Sequence, residues 1–481
     1  MPTSLSKMTA TASPPACANR QVLTVEQMRA AEQALIDKGR SVESLMDTAG
    51  RGAADWVWRL SGGRAVTVLC GPGNNGGDGY VLAEAIRKRG GQVRVIAATD
   101  AKTAAARNAR SLFGGEVLGP AADVHGEVFV DCLFGSGLSR PLTKEHSAIL
   151  CRLAAAHDQC VAIDLPSGVE ADSGALLGED LPRYDLTVAL GAWKRAHFSM
   201  PAVARLGERR LVEIGVGTIA DAGRVIECPA IEPPASDAHK YSRGLLAVVG
   251  GAMPGAALLA ARAAQRAGAG YVKLFADHAD AVPHDLVLAS GPLSDVLSDD
   301  RNRAVLVGPG LGRDATALER LITALADDVA TVLDADALAI LGARLVARRE
   351  APIVATPHEG ELATLEKTFG LAGEGARPDR ALALAGTSGM IIVAKGPDTM
   401  VAAPDGRIAF ASPASSWLSV AGTGDVLAGV IASRLATGSD AFAAACAGVW
   451  LHGEAARRCG AAFTAGDLAN AVRDALESGL A

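Results

Sequence analysis

The feature that most constrains this chain is an alternation of short apolar runs with helical stretches, which occurs in each half of the sequence. Short apolar strands that alternate with helices form mostly parallel sheets with helices on both faces. The sequence therefore predicts the α/β class, with two doubly wound domains in tandem. The predicted strands cover residues 65–69, 93–97, 128–130, 160–163 and 186–190, then 245–249, 304–307, 330–333, 352–355 and 390–394; helices are predicted after a capping Thr24 and over 81–89, 256–268 and 426–434.

The alternation stops at residues 226–238, where three prolines occur without any periodicity. Such a segment suits an interdomain connection. A chain of 481 residues also exceeds the size at which a single hydrophobic core stops growing. We therefore expect a flexible leader at 1–20, a first domain at 21–225, the linker at 226–238 and a second domain at 239–481.

The composition is typical of a globular protein with an acidic surface. Hydrophobic residues make up 49% of the chain and charged residues 21%, and the net charge is −7. This balance disfavours a broad nucleic-acid surface, which needs clustered Lys and Arg. No run of about 18 apolar residues predicts a membrane span, and the eight cysteines include no C-x-x-C pair. We expect a cytoplasmic protein with free, mostly buried thiols that binds neither nucleic acid nor membrane. We also expect a homo-oligomer.

A glycine-rich segment, Gly71–Gly79, follows the first predicted strand of the alternation and precedes a helix. Backbone amides of glycines at a helix N-terminus bind anions. The segment contains G-x-G-x-x-G, and Asp100 follows the next strand at the spacing of a dinucleotide site. The side chains of Asn74, Asn75 and Asp78 add oxygens that an ordinary dinucleotide loop does not need. The segment therefore indicates a phosphate or cation site, with a purely structural tight turn as the alternative.

Two more predicted strands end in a carboxylate that is followed by a glycine-containing turn. Asp131 precedes Gly-Ser-Gly-Leu at 135–138, and Asp164 precedes Leu-Pro-Ser-Gly. Because the carboxyl ends of neighbouring parallel strands face one crevice, we expect these segments to converge on the glycine-rich one. Oxygens from Asn75, Asp131 and Ser167 would suit a hard cation. Each Asp taken alone is equally well explained as a helix cap or a turn former.

The segments Asn-Asn-Gly-Gly-Asp, Asp-Cys-Leu-Phe-Gly-Ser-Gly-Leu and Asp-Leu-Pro-Ser-Gly, in this order, resemble the NAD(P)H-hydrate epimerase family over residues 22–220. The resemblance implies a Rossmann-like domain in which Asn75, Asp131 and Ser167 bind K⁺ and Asp164 is the catalytic acid/base. The C6 hydroxyl of the hydrated ring can leave and return on either face, and one carboxylate can carry the proton. The implied hydrate contacts are Asn74, Asn75, Gly76, Gly77, Asp78, Gly135, Ser136, Gly137, Leu138, Ser139, Arg140, Pro141 and Asp164.

In the second half the strongest motif is Gly-Thr-Gly-Asp at 422–425, which leads into an apolar helix. Glycine amides at a helix start bind anions, and the helix dipole reinforces them. Asp425 could take a proton from a substrate hydroxyl as phosphoryl transfer begins, or could simply cap the helix. Lys395 follows a predicted strand and would place a cation by a nucleotide's phosphates. His358 could donate to a phosphate or cap a turn. No P-loop motif occurs.

Residues 236–478 resemble the ribokinase-like superfamily, in which the Gly-Thr-Gly-Asp turn recurs. Lys240 and the segments 250–256, 308–312 and 356–361 narrow the resemblance to the ADP- or ATP-dependent NAD(P)H-hydrate dehydratases. Members of that family often carry Pro-His-Pro-Gly-Glu where this chain has Glu359 in place of the second proline. The implied hydrate contacts are Ala256, Gly310, His358 and Asp425, and the implied nucleotide contacts are Lys395, Gly396, Pro397, Asp398, Thr399 and Gly424.

Together the two resemblances imply a bifunctional repair enzyme for hydrated NADH and NADPH. It would epimerise the R and S hydrates and dehydrate the S hydrate with ADP, which releases AMP and phosphate. Phosphate leaves far better than hydroxide, so dehydration would begin with transfer of a phosphoryl group to the C6 hydroxyl. In this transfer Asp425 would be the base, the amides of 422–424 the anion hole and Mg²⁺ the charge neutraliser. A stereospecific dehydratase strands one epimer unless a second activity interconverts the two, so the pairing of the halves favours repair.

Three other hypotheses stay open. A ribokinase-like kinase for a sugar or vitamin precursor, with an accessory N-terminal nucleotide-binding domain, would release a stable phosphorylated product. A nicotinamide dehydrogenase in the first half would leave Asn74 and Asn75 unexplained. A non-catalytic N-terminal binding module would tolerate Asp164→Asn without loss of epimer interconversion. Residues 395–399 do not distinguish ADP from ATP, and ADP is expected because prokaryote-like fusions of this family usually use it.

Overall fold

The structure is a computed structural model that describes residues 20–276, 282–347 and 349–480. The chain divides into two compact units. Unit 1 extends to His197 and adds Ala204–Ala222, and unit 2 comprises Phe198–Val203 and the chain from Gly223 onward. The predicted domain limits stay a prediction, and the predicted leader lies outside the described residues except for Arg20.

Unit 1 alternates strands and helices as the apolar pattern predicts. Its strands are β1 (Gln21–Leu23), β2 (Val66–Cys70), β3 (Val93–Ala97), β4 (Val117–Leu118), β5 (Gly126–Cys132), β6 (His157–Ile163), β7 (Leu186–Leu190), β8 (Trp193–Lys194) and β9 (Glu208–Val212). Its helices are α1 (Val25–Asp37), α2 (Val42–Ser61), α3 (Asn74–Lys88), α4 (Ala104–Leu112), α5 (Lys144–Ala155) and all but the first residue of α6 (Val203–Leu206).

The main sheet of unit 1 is parallel throughout, in the order β4-β3-β2-β5-β6-β7-β9. The chain order reverses between β2 and β5, so the crevice beyond their carboxyl ends is the topological switch point where ligands bind in such sheets. Buried residues on both faces, including all of β2, form the core. Thr24 begins α1 with a capping box, accepting from the Gln27 N–H at 3.1 Å, as predicted.

Helix α3 begins at Asn74, so its predicted start at residue 81 is wrong. Gly76, Gly77 and Gly79 of the glycine-rich segment lie inside the helix, where each replaces a side chain that would collide. A Cβ on Gly76 would lie 2.0 Å from the Gly71 oxygen, and one on Gly79 would lie 2.7 Å from Cβ of Cys132. Close packing thus outweighs the roughly 1 kcal/mol by which each glycine disfavours a helix.

Unit 2 is built from a second set of alternating elements. Its strands are β10 (Gly223–Val225), β11 (Leu245–Val249), β12 (Tyr271–Phe275), β13 (Val287–Ala289), β14 (Asn302–Val307), β15 (Ala330–Leu333), β16 (Ile353–Ala355), β17 (Ile391–Ala394), β18 (Met400–Ala402) and β19 (Ile408–Phe410). Its helices are α7 (Pro254–Arg266), α8 (Leu293–Leu297), α9 (Ala315–Ala326), α10 (Asp336–Ile340), α11 (Glu359–Thr368), α12 (Arg377–Ser388), α13 (Thr423–Ala436), α14 (Ala441–Cys459) and α15 (Ala465–Glu477).

The strands of unit 2 follow the order β13-β12-β11-β14-β15-β16-β17-β18-β19-β10. They are parallel from β13 to β17, and β18 is antiparallel to both of its neighbours. Helix α13 is buried along most of its length and packs tightly on α7, because a Cβ on Gly429 would lie 2.1 Å from the Ala260 oxygen. This packing fixes the N-terminus of α13. The α/β class and the two doubly wound layouts are confirmed.

Three smaller expectations concern the linker, the membrane and the cysteines. Within the predicted linker, Ile231 is buried and its N–H donates to the Gly479 oxygen at 2.7 Å. In the part of the chain that the structure describes, no helix is long and apolar enough to cross a membrane. The cysteines of the described residues are free thiols; Cys70, Cys132 and Cys160 are buried and Cys228 is exposed.

Candidate functional site

The loops after β2 and β5 meet at the switch point of unit 1. A Cβ on Gly71 would lie 1.8 Å from the Leu133 oxygen, so only glycine allows the two loops to approach this closely. Gly73 is the extended residue before α3, and no side chain caps that helix. The amides of its first turn therefore lie beside the turn after β5, as the glycine-rich segment predicts.

Asp164 follows β6 and is the best-defined acidic group in unit 1. Its φ of 66° is unusual for a residue with a side chain. Oδ1 accepts from Nζ of Lys194 at 2.5 Å, and Oδ2 accepts from the Ser136 N–H at 2.9 Å. Burial would raise the pKa of Asp164, but the Lys194 ammonium and these hydrogen bonds outweigh burial and lower the pKa to about 2. At neutral pH Asp164 is a carboxylate held on both oxygens.

Lys194 and His197 support Asp164, and the sequence analysis missed both. Lys194 is 1% exposed and also donates to the Leu190 oxygen at 2.6 Å. The backbone N–H of Lys194 donates to Nδ1 of His197 at 2.9 Å, so Nε2 carries the ring hydrogen. Nε2 donates to the backbone oxygen of Asp164 at 2.8 Å. Burial and the Lys194 charge lower the pKa of His197 to about 3, so the ring is neutral. The available signal was a lysine in the apolar run 188–194.

Asp131 and Ser167 meet at the ends of β5 and β6, as predicted, but they bind each other. The Ser167 hydroxyl donates to Oδ1 of Asp131 at 2.7 Å and accepts from the Phe134 N–H at 2.8 Å. Asp131 also accepts from the N–H groups of Leu133 and Ser167 and from the Tyr184 hydroxyl at 2.6 Å. Four donors thus occupy the carboxylate, which is fully buried. Burial raises the pKa of Asp131, and these bonds oppose the rise.

Asn75 has a buried amide whose nitrogen and oxygen lack any hydrogen-bond partner among the described residues. A Cβ on Gly135 would lie 3.3 Å from Oδ1 of Asn75 and 2.9 Å from Oδ2 of Asp164. The amide and the carboxylate therefore both lie close to Gly135. An unpartnered buried amide costs free energy unless a ligand satisfies it, so Asn75 is a candidate binding position.

Asp78 and Glu32 complete a group of carboxylates around Lys194. Asp78 lies in the second turn of α3 and is buried, and Glu32 lies on α1. Burial, together with the charges of Asp164 and Glu32, raises the pKa of Asp78 well above its ordinary value. Burial also raises the pKa of Glu32, and Lys194 opposes that rise. Glu32 was not predicted, because nothing on an amphipathic helix distinguishes it from a solvated glutamate.

The remaining predicted hydrate contacts of unit 1 lie in the turn after β5. Leu138 closes this turn by donating its N–H to the Gly135 oxygen at 3.2 Å. Gly137 and residues 139–141 are exposed. Their side chains are not brought to Asp164 by any hydrogen bond in the described chain, so their contact with a substrate stays a prediction.

The Gly-Thr-Gly-Asp turn of unit 2 sits at the start of α13, as predicted. Gly422 has a φ of 91°, and the Thr423 hydroxyl donates to the Leu418 oxygen at 2.9 Å. A Cβ on Gly424 would lie 3.3 Å from Nζ of Lys395, which places the ammonium beside the turn. Lys395 donates to Oδ1 of Asp334 at 2.6 Å. The turn amides and Lys395 thus lie along one edge, and both are groups suited to an anion.

Asp425 lies in the first turn of α13. Burial and the charges of Asp334 and Asp336 raise the pKa of Asp425 to about 7, and Lys395 opposes them. Burial would lower the pKa of Lys395, but the Asp334 carboxylate raises it overall, so Lys395 stays charged. A carboxyl poised near neutral pH is suited to general base catalysis.

Asp334 follows β15 and Asp336 begins α10, and neither was predicted to contact the hydrate or the nucleotide. Asp334 is 1% exposed and also accepts from the Thr356 hydroxyl at 2.7 Å. Asp336 accepts from the Gly312 N–H at 3.0 Å and from Nε of Arg313 at 2.8 Å. The signal was available, since two aspartates at a strand end matched the pattern used for unit 1.

Two glycine loops of unit 2 lie in close contact with each other. The Met253 N–H donates to the Gly310 oxygen at 2.9 Å, and a Cβ on Gly310 would lie 2.1 Å from the Met253 oxygen. Gly308 has a φ of 130°, and a Cβ there would lie 1.8 Å from the backbone oxygen of Asp334. Ala256 lies in the first turn of α7, directly after the first of these loops.

His358 caps α11, the second of the two roles that its sequence position allowed. Its Nδ1 accepts from the N–H groups of Gly360 at 3.0 Å and Glu361 at 3.3 Å, and its side chain is 61% exposed. Glu359 occupies the first helical position and pairs with Arg377 and Arg380. Glutamate is favoured there by the helix dipole, so replacing the family's proline keeps the helix start.

The predicted nucleotide segment after β17 forms a closed turn. The Thr399 hydroxyl donates to the Gly396 oxygen at 2.7 Å and accepts from the Gly396 N–H at 3.0 Å. Asp398 is 5% exposed, binds Arg377 and accepts from the Met200 N–H at 3.0 Å. These side chains already have partners, so a nucleotide would meet the backbone of this turn and Lys395.

Two family models match the chain, one in each unit. The model described as YjeF-related protein N-terminus matches residues 42–196, and the model described as NAD(P)H-hydrate dehydratase matches residues 246–478. The bifunctional NAD(P)H-hydrate repair enzyme of Salinibacter ruber is 34% identical and covers 92% of both chains. The chain belongs to the bifunctional NAD(P)H-hydrate repair enzyme family.

Other members of the repair enzyme family match to the same extent. The enzymes of Gloeobacter violaceus and Coxiella burnetii are 34% and 33% identical, over 89% and 90% of this chain and 91% and 93% of their own. A solved structure of the ADP/ATP-dependent NAD(P)H-hydrate dehydratase of Bacillus subtilis, crystallised with ATP and Mg²⁺, is 26% identical over 52% of this chain and 95% of its own, with a TM-score of 0.47. The family resemblance predicted for both halves is confirmed.

Proposed function

We propose that this chain carries out both activities of its family on hydrated NADH and NADPH. Unit 1 interconverts the R and S hydrates, and unit 2 dehydrates the S hydrate with ADP, which releases AMP and phosphate. One observation carries the proposal: the chain aligns over 92% of its length with a bifunctional repair enzyme, and each aligned unit holds its own carboxylate site.

The chemistry of unit 1 starts from the hydrate, whose C6 hydroxyl shares a carbon with the ring nitrogen. The nitrogen lone pair can expel that hydroxyl once it is protonated, and water can then add to either face. Asp164 is ionised at neutral pH, so it would take the proton from the incoming water. The Ser136 N–H and Lys194 would hold its carboxylate in place for that transfer.

The chemistry of unit 2 replaces a poor leaving group by a good one. Asp425 would accept the proton of the C6 hydroxyl as that oxygen attacks the terminal phosphorus of the nucleotide. The amides of the turn 422–424 and the Lys395 ammonium would bind the transferred phosphoryl group. The ring nitrogen then expels phosphate and the C5 proton is lost, which restores the dihydropyridine.

Mg²⁺ fits this site as a partner of the nucleotide. The described residues contain no group of three or more His, Cys, Asp or Glu side chains that could hold a metal ion alone. Mg²⁺ needs only one or two carboxylates when phosphate oxygens and water supply the rest. Asp334 would hold it together with the phosphate oxygens of the nucleotide, and Mg²⁺ would neutralise phosphate charge during transfer.

K⁺ fits unit 1 through oxygens that remain free. The Asn75 amide oxygen has no partner among the described residues, and the Ser167 hydroxyl uses only one of its two lone pairs. Asp131 accepts from four donors, so it would orient Ser167 rather than give K⁺ an uncommitted oxygen. Neutral oxygens are suitable ligands for a hard cation.

One experiment tests the whole proposal. Purified R and S hydrates are incubated with the full chain and ADP, ATP or neither, and both epimers and the absorbance of the reduced ring are followed over time. We expect interconversion without nucleotide and return of absorbance with ADP. A stable phosphorylated product without that return would support a small-molecule kinase instead.

Two variants separate the sites. Asp164→Asn should abolish interconversion and spare dehydration of the S hydrate, and Asp425→Asn should do the reverse. Loss of both activities in either variant would contradict independent sites. A cytoplasmic location fits the free thiols of the described residues, and a homo-oligomer stays a prediction for sedimentation measurements.

A further inference from the structure

The epimerase reaction needs a proton donor that Asp164 does not supply. Loss of the C6 hydroxyl as water requires a proton on that oxygen, and return of water requires a group that removes one. In the free site both Asp164 oxygens accept hydrogen bonds, one from a buried ammonium at 2.5 Å. A carboxylate held in this way is prepared to receive a proton rather than to give one.

Asp78 is another buried carboxyl of unit 1, and the charge of Asp164 acts on it. It lies three residues after Asn75 on α3, so the two side chains share one face of the helix. Asn75 in turn meets Asp164 across Gly135, where a Cβ would lie 3.3 Å from the amide oxygen and 2.9 Å from the carboxylate. The face of α3 that carries Asp78 is therefore directed to the crevice that Asp164 enters from β6.

The surroundings of Asp78 suit a group that keeps its proton. The residue is 8% exposed, and its carboxyl makes no hydrogen bond or ion pair with another described residue. The charged groups nearest to it are Asp164 after β6, Glu32 on α1 and Lys194 on β8. Burial and the two carboxylates raise the pKa of Asp78 well above its ordinary value, whereas that of Asp164 falls to about 2. Two carboxyls whose pKa values are shifted in opposite directions are suited to divide the roles of acid and base.

We propose that Asp78 is a second catalytic residue of the epimerase, which delivers the proton to the departing C6 hydroxyl while Asp164 receives the proton of the returning water. The assignment rests on the proposed epimerase function of unit 1. It makes the reaction a two-carboxyl process with one shared proton.

The Asp78 carboxyl protonates the C6 oxygen, the C–O bond breaks, and the ring nitrogen lone pair forms the N1–C6 double bond of an iminium ion. Water adds to C6 from the other face, the N1–C6 π electrons return to nitrogen, and the Asp164 carboxylate takes the proton of that water. Transfer of this proton from Asp164 to Asp78 restores the starting state. The opposite epimer reacts by the reverse sequence, which begins with transfer of the proton from Asp78 to Asp164, so that Asp164 protonates the departing hydroxyl and Asp78 receives the proton of the returning water.

The test compares Asp78→Asn with the wild-type full chain, and Asp123→Asn is a control because Asp123 is exposed and remote from both carboxyls in sequence. Three quantities are measured: interconversion of a pure epimer, exchange of the C6 oxygen with oxygen-18 water, and equilibrium binding of the hydrate. We expect Asp78→Asn to lower kcat for interconversion by about 10²- to 10⁴-fold, to lower oxygen exchange in parallel and to leave the dissociation constant within about threefold.

The possible outcomes separate the proposals. A wild-type chain that does not interconvert the epimers overturns the proposed function of unit 1 itself. An active wild type with an equally active Asp78→Asn, or a variant that changes only KM, overturns the role of Asp78 alone. If Asp78→Asn does not bind the hydrate, Asp78→Ala with added formic acid decides: interconversion that returns with formate supports the proposal, and its continued absence overturns it.

Discussion

The Nζ atom of Lys194 lies 2.5 Å from Oδ1 of Asp164, and both side chains are buried. The lysine comes 30 residues after the aspartate, from β8 rather than from a neighbouring turn. A buried pair of this kind is costly to break, because the remaining charge has no partner and little water. It explains how a buried carboxyl stays ionised where burial alone would neutralise it.

Lys194→Met should therefore damage both stability and epimerisation. We expect the free energy of unfolding to fall by about 3–5 kcal/mol at pH 7. The folded-state pKa of Asp164 is depressed, so the stabilisation that the pair provides is present above the unfolded pKa and is lost as pH falls through about 2. The difference between wild type and variant in urea denaturation should thus narrow between about pH 4 and pH 2.

Lys88→Met is the matched control for Lys194→Met. Lys88 lies on α3 and its side chain is 60% exposed beside Glu84. A surface pair contributes about 0–1 kcal/mol, so this variant should unfold close to the wild type at every pH. An equal loss of stability in the two variants would contradict a special role of the buried pair.

Asn75→Ala should change the response of epimerisation to K⁺. The buried amide oxygen is a free ligand in the described chain, so its removal should raise the K⁺ concentration for half-maximal rate by about 10-fold, the equivalent of roughly 1.4 kcal/mol. Rates are measured over a KCl series at constant ionic strength. Asn108→Ala is the control, since Asn108 is exposed on α4 and should leave that concentration unchanged.

The pH profile of dehydration should follow Asp425. Because burial and its carboxylate neighbours raise the pKa of Asp425 to about 7, kcat/KM should fall tenfold per pH unit below about pH 7 as the base becomes protonated. Asp334→Asn removes one neighbouring negative charge and frees Lys395, and both changes lower the pKa of Asp425. The acidic limb of the kcat/KM profile should therefore move to lower pH. An acidic limb that stays in place or moves to higher pH would disprove this electrostatic account.

Gly308→Ala should destabilise unit 2 and abolish dehydration. Gly308 has a φ of 130°, and the added Cβ would lie 1.8 Å from the backbone oxygen of Asp334. The backbone that carries Asp334 must therefore move. We expect a loss of more than about 1 kcal/mol in the free energy of unfolding. Gly342→Ala is the control, because its Cβ meets nothing within 4 Å and its φ is −96°. That variant should be neutral or slightly more stable in thermal denaturation.

Much of the fold could be predicted because strand and helix periodicities are local. The apolar runs predicted β3, β7, β11 and β15 to the residue. The predicted boundaries are wrong where packing overrides helix propensity. Helix α3 begins seven residues earlier than predicted, because its glycines are required by close contacts with neighbouring elements. A single-residue propensity contains no information about what lies on the far side of a helix.

The carboxylates at strand ends and helix starts could also be predicted, and with them the convergence of Asp131 and Ser167. The sequence by itself determined the α/β class, the two tandem units, the family and the acidic candidates Asp164 and Asp425. Only the tertiary structure decided their protonation, because a pKa depends on burial and on charges distant in sequence. The tertiary structure keeps Asp164 ionised through Lys194. It raises the pKa of Asp425 to about 7 through burial and the charges of Asp334 and Asp336.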